Sequence, residues 1–221
     1  MSKRVSIAVT ACAVLVCATW LTLRATGQDQ AGGPAQPTPE QMKEMMDKWM
    51  KSMTPGPHHE KLQVFVGEWD VVSKMWWGGP DGPPPTVSKG SDTVKWILGK
   101  RYIETHHKGT MTIPDPQTGE PKNVPYEGQG VIGYDNVRNL YVGNWMDNMS
   151  TAIINYKGTA TPDGKTFRMY GEMDEPMLTM YGRHVKYVWT VQSKDEHTFA
   201  IYDLAAGEDY KVIEMVYTRK K

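Results

Sequence analysis

The chain has 221 residues, of which 39% are hydrophobic and 23% charged, and this is enough for one domain with a sizeable core. Its 25 basic residues balance its 25 acidic ones, which gives no electrostatic support for a nucleic-acid-binding function. Eight Trp and eleven Tyr stand against three Phe, so the aromatic side chains are mostly ones with a polar tip.

Residues 1–27 are predicted to be a secretory signal peptide. Basic residues precede an apolar run over residues 5–23, and Ala25 and Gly27 are small residues at the two positions that signal peptidase inspects. Cleavage before Gln28 would place the protein in a bacterial periplasm or outside the cell. The apolar run is also long enough for an uncleaved membrane anchor, which stays open as an alternative.

Both cysteines, Cys12 and Cys17, lie inside this predicted signal peptide. A mature chain would therefore contain no disulfide and no thiolate metal site, and its stability must come from packing. It would carry 22 basic residues against 25 acidic ones. We expect no nucleic-acid partner and no membrane span after cleavage.

A flexible linker over residues 28–38, rich in Gly, Pro and Gln, precedes a predicted amphipathic helix over residues 39–53. Thr38 as N-cap, Pro39 at the first helical position and Gln41 three residues after the cap mark the start of that helix. Apolar side chains recur at helical spacing on one face, the Met-rich face: Met42, Met45, Met46, Trp49, Met50 and Met53.

The Met-rich face has two interpretations. It is a flexible apolar stripe that closes one end of the domain or binds a protein partner, or its thioethers bind Cu(I), with Trp49 over the ion. The first interpretation is favoured, because a helix of this length needs burial to be stable.

From Lys61 onward, runs rich in β-branched and aromatic residues alternate with turn residues. The runs include residues 93–98, 101–113, 140–146, 151–156, 167–173, 183–191, 198–204 and 211–219. About ten strands with no helix between them predict an antiparallel meander. Closure removes the edges of such a meander, so the predicted fold is all-β, an up-and-down β-barrel with one short N-terminal helix.

The predicted first strand lies in residues 56–77, where apolar residues recur at even spacing: Phe65, Trp69, Val71, Met75 and Trp77. Gly67 is expected to leave room for the Trp69 indole across the floor of a closed sheet. If the barrel closes, Arg219 on the last strand would stack on Trp69; a solvated basic tail is the alternative. Glycine-x-tryptophan on a first strand resembles the calycin superfamily of lipocalins, fatty-acid-binding proteins and nitrobindins.

Six short motifs are spread over the chain: residues 57–62 (PHHEKL), 66–69 (VGEW), 96–102 (WILGKRY), 128–130 (GQG), 133–135 (GYD) and 141–147 (YVGNWMD). Together they resemble the bacterial family catalogued as domain of unknown function 1579. The resemblance implies a secreted, β-rich domain of calycin type and supplies no catalytic residues.

Six aromatic residues are predicted to line the barrel: Trp69, Trp96, Trp145, Tyr170, Tyr187 and Trp189. Trp and Tyr show a ring to an apolar ligand while the N–H or O–H holds a hydrogen bond, so we expect a small apolar or amphipathic ligand. His107 shares the inward parity of its strand. It is either an axial haem ligand, as nitrobindin-like calycins suggest, or an ordinary hydrogen-bonded histidine.

A hydrolase-like enzyme is the alternative from another class, and its acid and base candidates are scattered over different strands: Glu104, Asp147, Glu172 and His184. The sequence contains no nucleophile elbow, phosphate loop or zinc spacing, so no residue is assigned a catalytic role. His58 and His59, before the first strand, are expected to satisfy backbone groups rather than bind a metal.

The signal-peptide prediction can be tested on protein exported by its own host. Because Ala25 and Gly27 flank the cut, the mature chain should begin at Gln28. Intact-mass analysis checks this; retention of residues 1–27, or a lipid on Cys12, would contradict it.

Overall fold

The computed structural model describes residues 36–77, 82–115, 117–176 and 179–221. The predicted signal peptide, with both cysteines, lies outside the described residues, and so does the predicted linker up to residue 35.

The first helix, α1 (Pro39–Met53), begins with the predicted capping box. The Thr38 N–H donates to Gln41 Oε1 (2.8 Å), and the Gln41 N–H donates to Thr38 Oγ1 (3.3 Å). No side chain of α1 is buried, and all six residues of the Met-rich face are exposed. None of the described helices is long and apolar enough to cross a membrane.

Two residues of the barrel turns hold the end of α1. Asn136 Nδ2 donates to the carbonyl oxygens of Ser52 (3.2 Å) and Thr54 (2.8 Å), and Arg101 Nη2 donates to that of Met53 (2.8 Å). Trp49, Met50 and Met53 nevertheless remain exposed. This part of the Met-rich face therefore does not close the barrel, which was one of the two roles in the interpretation favoured from the sequence; binding of a protein partner stays a prediction.

A second, short helix, α2 (Pro57–Glu60), and a 3₁₀ helix (Lys61–Phe65) follow α1 and close one end of the barrel. Leu62 and Phe65 are buried, so the expectation of strand structure from Lys61 onward is wrong here. His59 Nδ1 accepts a hydrogen bond from the Gly56 N–H (3.1 Å) and so satisfies a backbone group, as expected.

Ten strands follow: β1 (Gly67–Met75), β2 (Thr86–Ile97), β3 (Tyr102–Pro114), β4 (Pro121–Asp135), β5 (Leu140–Asp147), β6 (Ile154–Ala160), β7 (Thr166–Glu175), β8 (Met180–Ser193), β9 (Glu196–Asp203) and β10 (Lys211–Arg219). Each pairs antiparallel with its neighbours, and β1 pairs with β10, so the sheet is a closed up-and-down barrel. The predicted fold class is confirmed. Phe65 precedes β1, and Trp77 follows it and is 45% exposed, so neither extends the strand as predicted.

Barrel closure joins Trp69 on β1 to Arg219 on β10, which are opposite each other in the ladder. The guanidinium carbon lies 4.1 Å from the centre of the indole. Nη1 donates to the Val66 carbonyl (2.9 Å) and Nη2 to the Val64 carbonyl (3.0 Å). The predicted stacking is confirmed, and the arginine also binds the chain that enters the first strand.

Gly67 is required at its position for a different reason from the one expected. Its φ of 141° disfavours a side chain, and a Cβ there would collide with Nη1 of Arg219. The space above Gly67 therefore holds the guanidinium rather than the indole. Trp69 is fully buried, and its Nε1 donates to the Phe65 carbonyl (2.8 Å).

The closure predicts a contrast between two tryptophans of the same segment. Replacing the buried Trp69 by Ala should lower the free energy of unfolding by roughly 3 to 5 kcal/mol, the range for deleting a large buried aromatic. Trp77→Ala, at an exposed position, is the control and should change it by about 0.5 kcal/mol or less. Denaturant unfolding measures both, and equal effects would contradict the assignment of Trp69 to the closure.

Candidate functional site

The inward faces of the strands enclose a cavity of about 890 Å³. Its lining reaches the turns that join β5 to β6 and β7 to β8, at the end of the barrel opposite the 3₁₀ helix. A cavity of this size is within the range of small-molecule sites. Much of the lining is apolar, including Val94, Ile103, Ile132, Trp145, Trp189, Phe199, Ile201 and Met215.

The interior stays open partly because aromatic rings lie along the wall, over glycines of the neighbouring strand. Gly130 is opposite Trp145, and Gly143 is opposite Tyr156. A Cβ at Gly128 or Gly130 would collide with the Trp145 indole, and one at Gly143 with the Tyr156 ring. These glycines therefore allow large side chains to cover the sheet without crossing the cavity.

One part of the lining is polar and begins with a buried pair on facing strands. Asp92 on β2 is opposite His107 on β3, and His107 Nδ1 lies 2.5 Å from Asp92 Oδ1. The two side chains are only 4% and 6% exposed. The imidazole fills the space that Gly90 and Gly109 leave empty. The carboxylate is therefore paired, and the pair lies at the cavity surface.

Tyr126 and Asp147 extend this polar patch, which we define as Asp92, His107, Tyr126 and Asp147. The Tyr126 ring lies 5.4 Å from that of His107. Its hydroxyl donates to Asp147 Oδ2 (3.1 Å) and accepts a hydrogen bond from Trp145 Nε1 (3.1 Å). Burial, together with the Asp147 charge, raises the pKa of Tyr126, so the phenol stays protonated.

An aromatic wall, defined as Tyr156, Tyr187, Trp189 and Phe199, covers another side of the cavity. The rings of Trp189 and Phe199 are 4.5 Å apart, and those of Tyr156 and Tyr187 are 5.0 Å apart. Two of the four residues lie on β8, and four strands separate β8 from β3 in either direction around the barrel. The centre of this wall therefore lies across the cavity from His107.

His197 also borders the cavity, next to the closure. Its ring stacks on that of Tyr217 at 4.3 Å and meets the Trp69 ring edge-on at 4.4 Å. Its buried Nδ1 has no hydrogen-bond partner among the described residues. Burial, and then the nearby Arg219 charge, lower the pKa of His197 to about 3.

Four of the seven ligand-binding residues predicted from the sequence line the cavity: His107, Trp145, Tyr187 and Trp189. Trp69 is buried under Arg219 and is not part of the lining. Trp96 is also outside the lining, with its Nε1 donating to Gln63 Oε1 (2.7 Å). Tyr170 is 49% exposed, because its neighbour Met169 takes the inward position on β7.

The four acid and base candidates do not converge at the cavity. Glu104 forms an ion pair with Lys95 on the outside of the barrel (3.1 Å). Glu172 is opposite His184 across β7 and β8, and neither borders the cavity. Of the four candidates only Asp147 lies in the lining, where it holds the Tyr126 hydroxyl.

Asp92, Tyr126 and His197 were not found by the sequence analysis. Asp92 alternates in phase with the inward-facing Val94, and His197 alternates in phase with Phe199. A polar residue at a position expected to be apolar was therefore a signal that could have identified both. Asp92 was overlooked because β2 begins at Thr86, before the run at residues 93–98. The span of β4 was not among the runs named from the sequence, and it contains prolines and glycines that disfavour a strand.

The lowered pKa of His197 predicts how stability depends on pH. The unfolded chain binds a proton at His197 as the pH falls below about 6.5, whereas the folded chain does so only near pH 3. Folding therefore loses stability as the pH falls through this window, by roughly 2 kcal/mol between pH 7 and pH 5. His197→Phe keeps an aromatic ring and removes this proton site, so the variant should not lose this stability. The difference in free energy of unfolding between the variant and the unsubstituted protein should therefore rise by that amount as the pH falls from 7 to 5. Denaturant unfolding at the two pH values measures it, and parallel losses in both proteins would contradict it.

Comparison with known proteins identifies a family and related folds. No curated protein matches the chain. The crystal structure of Rv2717c from M. tuberculosis has a TM-score of 0.50 and 12% identity, and the match covers 76% of this chain and 100% of that one. This likeness concerns the fold alone.

Two further matches are an S-type phycobiliprotein lyase, CPES, from Guillardia theta, and a de novo designed fluorescence-activating β-barrel. The first has a TM-score of 0.45 and 11% identity, covering 76% of this chain and 99% of that one. The second has a TM-score of 0.36 and 14% identity, and the match covers 72% of this chain and 95% of that one. A family model matches residues 54–219, so the chain belongs to the family described as protein of unknown function DUF1579.

Proposed function

We propose that the protein binds a small amphipathic molecule inside the barrel. The observation that carries this proposal is the cavity of about 890 Å³, whose largely apolar lining is interrupted by the buried polar patch. An apolar ligand body would contact the aromatic wall, and a polar group of the ligand would meet the patch.

The polar patch supports a ligand with a polar group because it is costly as a purely structural feature. Asp92 and His107 are almost fully buried, and taking such groups out of water costs free energy that an apolar pair of similar volume would avoid. Polar groups converging at the surface of an apolar cavity are typical of ligand recognition.

The aromatic side chains of the lining support a flat or chain-like apolar body for the ligand. Trp145 and Trp189 both border the cavity, from β5 and β8. The indole of Trp145 already donates its N–H to Tyr126 (3.1 Å), so its face can contact apolar atoms without a lost hydrogen bond.

We further propose that the protein is exported and meets its ligand in the periplasm or outside the cell. The basis is the order of features in residues 1–27, where basic residues, an apolar run and small residues follow one another.

The binding proposal predicts saturable uptake of amphiphiles at a single site. Dodecanoic acid and 2-naphthol are titrated separately, and at least one of them should quench tryptophan fluorescence. We expect a Kd on the order of micromolar, which corresponds to a binding free energy of about 8 kcal/mol. Binding should also raise the melting temperature, because a ligand that prefers the folded state stabilises it.

The same titration on Trp145→Ala and Trp189→Ala should weaken binding by about 1 kcal/mol or more each, because both side chains line the cavity. Trp77→Ala, at an exposed position outside the lining, is the matched control and should bind as the unsubstituted protein does. Circular dichroism verifies that each variant is folded. If neither probe gives quenching or a thermal shift, the binding proposal is wrong, and the exposed Met-rich face then favours a protein-interaction role.

A further inference from the structure

The hydroxyl group of Tyr187 is a buried, unsatisfied polar group on a side chain that belongs to the cavity lining. The residue is 3% exposed, its ring is stacked on that of Phe199 at 6.2 Å, and it belongs to the lining. Its hydroxyl oxygen has no hydrogen-bond partner among the described residues. Burial raises the pKa of this phenol, so the group stays protonated and is able to donate.

Tyr187 differs in this respect from every other buried tyrosine of the described chain. The Tyr141 hydroxyl donates to the His58 carbonyl (2.9 Å), and that of Tyr156 to the Asn144 carbonyl (3.0 Å). The two remaining buried tyrosines bind side chains, Tyr126 to Asp147 and Tyr217 to Met215 Sδ (3.2 Å). The interior otherwise gives each buried phenol a partner.

A structural role alone does not explain a tyrosine at this position. A phenylalanine would fill the same ring volume and make the same aromatic contacts. The buried hydroxyl without a partner is a desolvated donor, which opposes folding in the ligand-free protein. A ligand that supplies an acceptor would remove that penalty on binding.

The position of Tyr187 in the barrel indicates which end of a ligand it would meet. Tyr187 lies on β8, and His107 of the polar patch lies on β3, on the opposite side of the closed sheet. A ligand whose polar group meets the patch would therefore direct its far end toward the aromatic wall. The two sites would contact different ends of one molecule.

We propose that Tyr187 is a second recognition site, which donates a hydrogen bond to an acceptor oxygen at the far end of the ligand. The ligand class is then a molecule with two polar ends and an apolar middle, whose far end carries a carbonyl, ether or carboxylate oxygen. The inference rests on the proposed function and deepens it, because it distinguishes a ligand with two polar ends from a simple amphiphile.

Two probes of the same shape test the proposal. 6-Acetyl-2-naphthol carries a ketone oxygen where 6-isopropenyl-2-naphthol carries a methylene group. Both keep a hydroxyl group for the polar patch, and only the ketone can accept a hydrogen bond at the far end. In Tyr187→Phe, the affinity for the ketone should fall by about tenfold relative to the unsubstituted protein. The affinity for the isopropenyl compound should stay within about twofold, since its contacts with the ring are kept.

Tyr141→Phe is the matched control, because Tyr141 is buried and lies outside the cavity lining. It should lower the melting temperature of the ligand-free protein, since the His58 carbonyl loses its donor. Tyr187→Phe should leave that melting temperature unchanged or raise it. The ratio of the two probe affinities should change only in Tyr187→Phe.

The outcomes separate this inference from the proposed function. If the unsubstituted protein binds both probes and Tyr187→Phe weakens both equally or neither, the second recognition site is wrong and ligand binding stands. If Tyr187→Phe fails to fold or is destabilised as much as Tyr141→Phe, the hydroxyl has a partner in the ligand-free protein, which also overturns the inference alone. If the unsubstituted protein binds neither probe, dodecanoic acid nor 2-naphthol, both proposals are wrong.

Discussion

The rest of the structure depends on the closure between the first and last strands. Arg219 covers the indole of Trp69 at 4.1 Å and donates to two carbonyl groups of the chain that leads into β1. Cation–π contact and hydrogen bonding thus act on the same side chain, because the flat face of a guanidinium lies on a ring while its edge N–H groups donate in fixed directions. The closed ladder leaves no free strand edge, and it fixes which side chains face one another across the interior.

Close packing in the interior is incomplete and leaves a cavity. Inward glycines let Trp145 and Tyr156 lie against the sheet, so large aromatic residues form a wall instead of filling the centre. Groups that oppose folding are found in the same region: the buried Asp92–His107 pair and the hydroxyl of Tyr187. A barrel selected for stability alone would contain apolar residues at these positions. Their location around one cavity supports a ligand-binding function.

Sequence alternation located part of the site, and its failures have local causes. Tyr187 and Trp189 were found because β8 alternates cleanly between inward apolar and outward polar residues. The prediction that Tyr170 lines the barrel was wrong because Tyr170 adjoins Met169. Where two neighbouring residues are both apolar, residue type does not reveal which one faces inward. Asp92 and Tyr126 were missed because their strands contain residues with weak strand preference and are held by pairing with their neighbours.

The sequence by itself determined the all-β barrel and the capped N-terminal helix, because these follow from alternation, turn residues and capping residues. It offered the stacking of Arg219 on Trp69 as one of two interpretations, and the structure decided between them. Only the tertiary structure decided that residues 57–65 are helical, that α1 leaves its Met-rich face exposed, and which polar groups have partners. Alternation has a period of two residues and acts along one strand. Partners such as Asp92 and His107 lie on different strands and meet only once the register of the whole ladder is set.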